Sequence, residues 1–314
     1  MREFGIRVAQ ILEENLIFVS LLAIVVFFSL ISESFLSLTT LATLLNQLPA
    51  LTVVAIGMTL VLISGGIDLS VGSVVALSSG VIGAGIVILG LPIPLAACLG
   101  ILAGGIVGLA NGSLGAYLRL PIFIVTLGML EVSRGLAYLV TDSQTIYIGS
   151  AIQAFAMPWA SIGMSTSILV ALTLVVAFEF LLRSTIFGRQ IVAVGSNESA
   201  AEISGIDPKR VRCAVLVISG LLAGLGGLMN AAYLGSADPN AGIGLELSAI
   251  AAAVIGGTSL MGGRGSVVGA FVGVLIVSVL QIGLAQIGIT EPTKRVITGA
   301  VIILAVILDR WRTH

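Results

Sequence analysis

Long apolar stretches separated by short polar segments run through almost the whole chain. Charge-free stretches cover residues 15–32, 34–67, 69–118, 143–178, 213–237, 265–290 and 296–308. A membrane-spanning helix needs about 20 mostly apolar residues. The pattern therefore predicts ten spans, the eighth and tenth being short: 16–32, 43–64, 71–90, 94–118, 121–141, 162–182, 213–234, 247–263, 265–289 and 294–309.

The composition agrees with an all-α polytopic membrane protein. Of the 314 residues, 58 % are apolar and 9 % are charged, whereas a soluble domain has about 25 % charged residues. The net charge of −1 gives no basic field for nucleic acid. Cys98 and Cys213 lie in apolar stretches, and the single histidine is His314. We therefore expect one transmembrane domain over residues 1–314, with no catalytic or metal-binding residues.

The distribution of Lys and Arg predicts the orientation, because these residues are retained on the cytoplasmic side. With the N-terminus inside, ten spans also place the C-terminus inside. Eleven of the 14 Lys and Arg residues then lie in cytoplasmic segments, Lys294 and Arg295 lie outside, and Arg134 lies within a span. The first span follows Arg2 and Arg7 like a signal peptide, but no small-residue cleavage site follows it, which favours an uncleaved anchor.

Glycines recur every four residues on three predicted spans. Such stripes let helix backbones approach closely, and we expect most of them to pack within one subunit, with a dimer seam as the alternative. They are Gly100, Gly104, Gly108 and Gly112, then Gly220 and Gly224, and then Gly265, Gly269 and Gly273.

Two glycine-rich segments also resemble each other. GGIDLS at residues 65–70 leads into GSVVA, and GGTSLM at residues 256–261 leads, with three extra residues, into GSVVG. Many transporters build a central site from such internal repeats. Chance similarity between two glycine-rich segments is an equal alternative.

Residues 183–212 form the only long polar segment, on the predicted cytoplasmic side. Ser196 or Asn197 is suited to cap a short helix, Gly205 is placed to end it, and Pro208 follows. A short helix with small side chains suits docking into a partner's groove. An ordinary solvated loop is the alternative.

Ionisable residues within spans are candidates for function. Glu131 and Arg134 lie three residues apart in the fifth span, close enough to pair on one helix face. We expect them to neutralise each other structurally, although a proton relay would make the protein an ion-coupled transporter. The sequence contains no channel-filter signature and no nucleophile pairing of a membrane enzyme.

The low charge of the spans favours a neutral solute. The candidates for its path are Asn46, Asn111, Thr126 and Asn230. The structural alternative for each is a hydrogen bond to a neighbouring helix.

Several ordered motifs resemble the permease subunits of ATP-binding-cassette (ABC) importers for monosaccharides, the ribose-permease type. The resemblance covers nearly the whole chain. It includes GGIDLSVGS at 65–73, TLGM at 126–129 with RGL at 134–136, GSADP at 235–239, AIAA at 249–252, IGGTSL at 255–260 and GGRGS at 262–266.

The resemblance implies a membrane-spanning subunit that forms the path for a neutral, ribose-like sugar in the bacterial plasma (inner) membrane. It implies as partners ABC ATPase subunits, a periplasmic or lipid-anchored sugar-binding protein, a second permease copy or paralogue, and membrane lipid. It also implies that the cytoplasmic helix couples to the ATPase through Gly195, Asn197, Ala200, Ala201 and Gly205.

The chain has no phosphate-binding P-loop of its own. That motif needs Gly-Lys followed by Ser or Thr, but Lys209 follows Pro208 and Lys294 follows Thr293. We therefore expect no enzyme activity and no cofactor here, with ATP and Mg²⁺ bound by the partner ATPase. An ion-coupled secondary transporter of a small polar solute is the alternative.

Overall fold

The computed structural model describes residues 16–159 and 163–312 as an almost entirely helical chain. Within these ranges nine helices have 16 residues or more: α1 Leu16–Ile31, α2 Leu38–Ile63, α3 Val71–Val87, α4 Ile93–Gly112, α5 Ile122–Val140, α7 Thr166–Ser184, α10 Pro208–Leu234, α12 Val267–Gln286 and α13 Glu291–Arg312.

Shorter elements connect these helices. They are the π-helical turn Ser113–Tyr117, α6 Ser150–Gln153, α8 Ile186–Ser196, α9 Glu198–Ile203 and α11 Leu245–Ile255. Two short strands, β1 Ile146–Tyr147 and β2 Ser236–Ala237, pair antiparallel, with Ile146 opposite Ala237.

The predicted spans agree with the helices except in one place. Six helices of the described residues are long and apolar enough to cross a membrane, namely α2, α4 with its π-helical turn, α5, α7, α10 and α12. The predicted span 247–263 is wrong as a continuous helix, because α11 ends at Ile255. Gly257 adopts φ +87, which a helix cannot contain, and the chain then runs as a loop to Ser266. Arg2 and Arg7 lie outside the described residues.

Helix α2 forms the centre of the molecule. In its most apolar stretch 83 % of the residues are buried, compared with 17 % in α5. Helix α10 packs against α2, α3 and α4, and α12 packs against α2 and α11. One large apolar cluster joins these helices.

Glycines bring neighbouring helix backbones into contact. A methyl group on Gly104 would overlap the Gly220 carbonyl oxygen, and one on Gly108 would overlap that of Leu216. Gly273 lies in the same way against the Ala252 carbonyl oxygen. The stripes therefore pack α4 against α10 and α12 against α11, which confirms the expectation of packing within one chain.

The polar segment 183–212 is more helical than expected. It contains α8 as well as the expected short helix α9, and α10 begins within it at Pro208. Thr185 caps α8 by accepting a hydrogen bond from the Gly188 amide at 3.1 Å. The polar composition concealed α8, because only its buried residues Gly188, Ile191 and Val194 face the bundle.

Candidate functional site

A cavity of about 860 Å³ lies at the end of the molecule where α2 begins and α12 ends. Its wall is formed by α2, α10, α11, α12, α13 and the residues just before α11. The polar lining residues are Thr39, Thr40, Thr43, Asn46, Gln47, Asn230, Tyr233, Ser248, Ser278, Gln281, Gln286, Lys294, Arg295 and Thr298.

The lining is rich in amides and hydroxyls, which both donate and accept hydrogen bonds. Among the lining residues that the structure describes, there is no Asp or Glu, and the cations are Lys294 and Arg295 near the start of α13. The Oδ1 atom of Asn230 is buried without a hydrogen-bond partner. This wall matches an uncharged solute with several hydroxyl groups.

The four residues expected along a solute path fall into two groups. Asn46 and Asn230 lie in the cavity wall. Asn111 and Thr126 are fully buried elsewhere. Asn111 donates to the Ser70 hydroxyl at 2.9 Å and Thr126 to the Ile67 carbonyl oxygen at 2.9 Å. These two side chains therefore hold the segment 64–70 in place and do not line the cavity.

A buried carboxylate organises the same segment. Asp68 is 1 % exposed and accepts hydrogen bonds from the Ser70 amide at 3.0 Å, the Ser70 hydroxyl at 2.6 Å and the Ser219 hydroxyl at 2.9 Å. Because Asn111 donates to Ser70, the network joins α3, α4 and α10. It satisfies the Ser70 and Ser219 donors, which would otherwise be costly to bury, and it leaves the buried Asn111 Oδ1 atom without a hydrogen-bond partner.

The expected pair between Glu131 and Arg134 is absent. Arg134 Nη1 instead donates to the carbonyl oxygens of Pro239 at 2.6 Å and Ala241 at 2.8 Å. Glu131 is exposed on α5. Sequence spacing could not show that the chain after β2 returns to α5 and presents two carbonyl oxygens to the guanidinium. Arg134 thus holds the segment that leads into the cavity wall at 242–245.

The opposite end of the molecule carries α9. Asn197 caps this helix by accepting from the Ala200 amide at 3.0 Å, and Gly205 follows it with φ +84. Ala200 and Gly205 are exposed, whereas Ala201 is only 4 % exposed and packs into the core. Gly195, the second-last residue of α8, lies against the Ile63 carbonyl oxygen.

Two large apolar side chains stand out at this end. Ile203 on α9 and Met261 in the loop 256–266 are each 88 % exposed. Sequence reasoning missed Met261. The sequence feature that could have identified Met261 is its position as a large apolar residue directly before Gly262 and Gly263.

A bundle of membrane-length helices with a polar cavity at one end and an exposed short helix at the other is the architecture expected of a membrane permease. In the described residues, no group of three or more His, Cys, Asp or Glu is placed to hold a metal ion. Residues 40–306 match the family described as the branched-chain amino acid transport system / permease component. The chain belongs to this permease family.

Its relatives in that family include sugar permeases. The chain is 41 % identical over 299 residues to the ribose import permease protein RbsC of Bacillus subtilis (strain 168), covering 94 % of this chain and 92 % of the relative. It is 38 % identical to the L-arabinose ABC transporter permease protein AraH of Azospirillum brasilense, over 83 % and 77 % of the two chains. It is 34 % identical to the fructose import permease protein FrcC of Rhizobium meliloti, over 93 % and 84 %.

No solved structure matches the chain. The relatives nevertheless show that this is a permease subunit of an ABC sugar importer, a multi-pass protein of the bacterial inner membrane. The predicted resemblance is confirmed.

Proposed function

We propose that the cavity is part of the translocation path for a neutral, ribose-like monosaccharide. The observation that carries this proposal is a wall rich in amides and hydroxyls, whose described lining residues include no Asp or Glu and whose two cations, Lys294 and Arg295, lie together near the start of α13. The 41 % identity to a ribose import permease supports the same class of solute. A periplasmic or lipid-anchored binding protein would deliver the sugar to the end of the molecule that contains the cavity.

The proposal includes ten crossings with both termini in the cytoplasm, in one domain. Helix α11 has 11 residues, so it is only about 16 Å long at 1.5 Å per residue. The turn residues 238–244, which precede α11, would therefore complete the eighth crossing. Broken helices of this kind are common beside transporter sites.

The partner ATPase would bind ATP and Mg²⁺ and seat on α9. Exposed Ala200 and Gly205 would contact the ATPase beside the Ile203 side chain. Asn197 would fix the start of the helix, and Gly195 and buried Ala201 would join it to the bundle.

A second permease, identical or paralogous, would cover α5, and membrane lipid would cover the remaining apolar faces. Helix α5 is poorly buried, and exposed Glu131 lies near its middle. A carboxylate at this depth is costly in lipid, which favours a protein partner on this face.

Co-purification tests the driving partner. The tagged chain should be isolated in mild detergent from its own host and its partners identified by mass spectrometry. We expect a stoichiometric soluble ATPase with a P-loop. Isolation of the chain alone, together with solute uptake by reconstituted vesicles under a sodium or pH gradient, would replace this mechanism with ion coupling.

Asn230→Leu tests the path. The change keeps the side-chain size but removes the unpaired amide oxygen, so sugar uptake should fall by about tenfold, the cost of a lost buried hydrogen bond to substrate. The measurement is uptake of labelled sugar by the reconstituted transporter. Glu131→Gln, which changes an exposed side chain outside the cavity, should leave uptake and its pH dependence intact. Normal uptake by Asn230→Leu would remove this residue from the path.

A further inference from the structure

Three segments from distant parts of the chain meet through backbone atoms beside α9. The Gly263 amide donates to the Ile63 carbonyl oxygen at 2.8 Å. A methyl group on Gly195 would overlap that same oxygen and the Gly263 nitrogen. A methyl group on Gly263 would lie 2.9 Å from the Ser196 Cα atom. We call Ile63, Gly195 and Gly263 the glycine junction.

On one side the junction is attached to α9. Asn197, which caps α9, follows Gly195 by two residues. Arg212 at the start of α10 binds Glu198 of α9 at 2.8 Å and also lies 3.4 Å from the Ser64 carbonyl oxygen. Both backbone and side-chain contacts therefore join α9 to the end of α2.

On the other side the junction is attached to two walls of the cavity. Ile63 is the last residue of α2, whose first half carries Asn46 and Gln47 in the wall. Gly263 lies three residues before Ser266, the cap of α12, whose second half contributes Ser278 and Gln281.

The start of α12 is itself held firmly. The Glu179 carboxylate of α7 accepts hydrogen bonds from the amides of Val267 at 2.7 Å and Val268 at 3.1 Å. It also accepts a hydrogen bond from the Ser266 hydroxyl. The loop that carries Gly263 thus has little freedom to move independently of α12.

We propose that the glycine junction is a rigid positioning element that transmits displacement of α9 to α2 and α12, and so to the cavity wall. This inference rests on the proposed docking of α9 to an ATPase. Close-packed backbone contacts transmit movement because no side-chain rotation is available to absorb it.

Gly263→Ala tests the junction, with Gly257→Ala as its matched control. Both glycines have positive φ, +74 and +87, in the same loop, so backbone strain is similar. Only Gly263 lies against the junction, since the nearest atom to a methyl group on Gly257 is Ile17 Cδ1 at 3.9 Å. In the assembled transporter, Gly263→Ala should reduce sugar uptake per ATP hydrolysed by about tenfold, a usual size for coupling between sites. In the Gly257→Ala transporter, sugar uptake per ATP hydrolysed should stay close to the wild-type value.

Co-purification of the ATPase is measured on every sample. If the wild-type chain does not retain an ATPase, the proposed function fails. If the variants retain it and Gly263→Ala transports normally, or both variants lose coupling equally, the junction proposal is overturned.

A second measurement does not depend on substituting a junction glycine. Cys98→Ala and Cys213→Ala first remove the two native cysteines. Spin labels are then attached to Ser199→Cys in α9 and Met261→Cys in the loop 256–266, and they report the distance between these two exposed sites. A rigid junction predicts the same distance in the nucleotide-free and vanadate-trapped complex. A change between these states would overturn the proposal.

Discussion

Ala200→Arg is expected to reduce coupled sugar uptake strongly while leaving the helical bundle folded. Ala200 is exposed on α9, and arginine is nearly as good a helix former as alanine. The long charged side chain would hold α9 away from the ATPase groove, so uptake should fall by at least about tenfold, the lower range for losing one central interface contact. ATP-dependent uptake and ATPase retention in the purified complex are the measurements.

Two further variants accompany Ala200→Arg, one as a control and one as a second probe of the same surface. Ala200→Ser keeps the surface flat and should retain uptake. Gly205→Arg probes the same surface but adds about 1–2 kcal/mol of strain, because Gly205 has φ +84. Normal uptake by a well-assembled Ala200→Arg transporter would remove α9 from the docking surface.

Asp68→Ala is expected to cause the largest loss of stability. The substitution leaves the Ser70 amide and the hydroxyls of Ser70 and Ser219 without their buried acceptor. Unsatisfied buried donors cost about 1–3 kcal/mol each, so the free energy of unfolding should fall by at least about 3 kcal/mol. Thermal unfolding of the purified protein in detergent measures this change.

The control for Asp68→Ala is Glu131→Ala, which removes an exposed carboxylate from the surface of α5. Its unfolding temperature should stay close to that of the wild type. If both variants unfold at the wild-type temperature, the network around Asp68 contributes little to stability.

The two glycine-rich segments that resemble each other illustrate what a sequence can suggest. The structure places 64–70 between α2 and α3 and 256–266 between α11 and α12. The two segments meet, since a methyl group on Gly262 would lie 3.2 Å from the Gly65 Cα atom. The similarity was compatible with an internal repeat around a central site and equally with chance, and the contact between the two segments depends on how α2 and α12 pack.

The sequence by itself determined the membrane class and the positions of nearly all long helices. Long apolar stretches predict such helices, because a segment inside the bilayer must satisfy its own backbone hydrogen bonds and therefore becomes helical. Local chemistry also determined both ends of α9, since the Asn197 cap and the Gly205 conformation depend on neighbouring residues.

Only the tertiary structure decided which polar side chains face a cavity and which hold the bundle together. Asn111 and Asn230 are the same residue type in apolar surroundings, yet one binds Ser70 and the other lines the cavity. Arg134 likewise binds carbonyl oxygens 105 and 107 residues away in sequence, and not Glu131. The hydropathy pattern along one helix predicts which part of it lies within the membrane and which of its faces are apolar. The partner of a polar group depends on which distant backbone the fold brings within hydrogen-bonding distance.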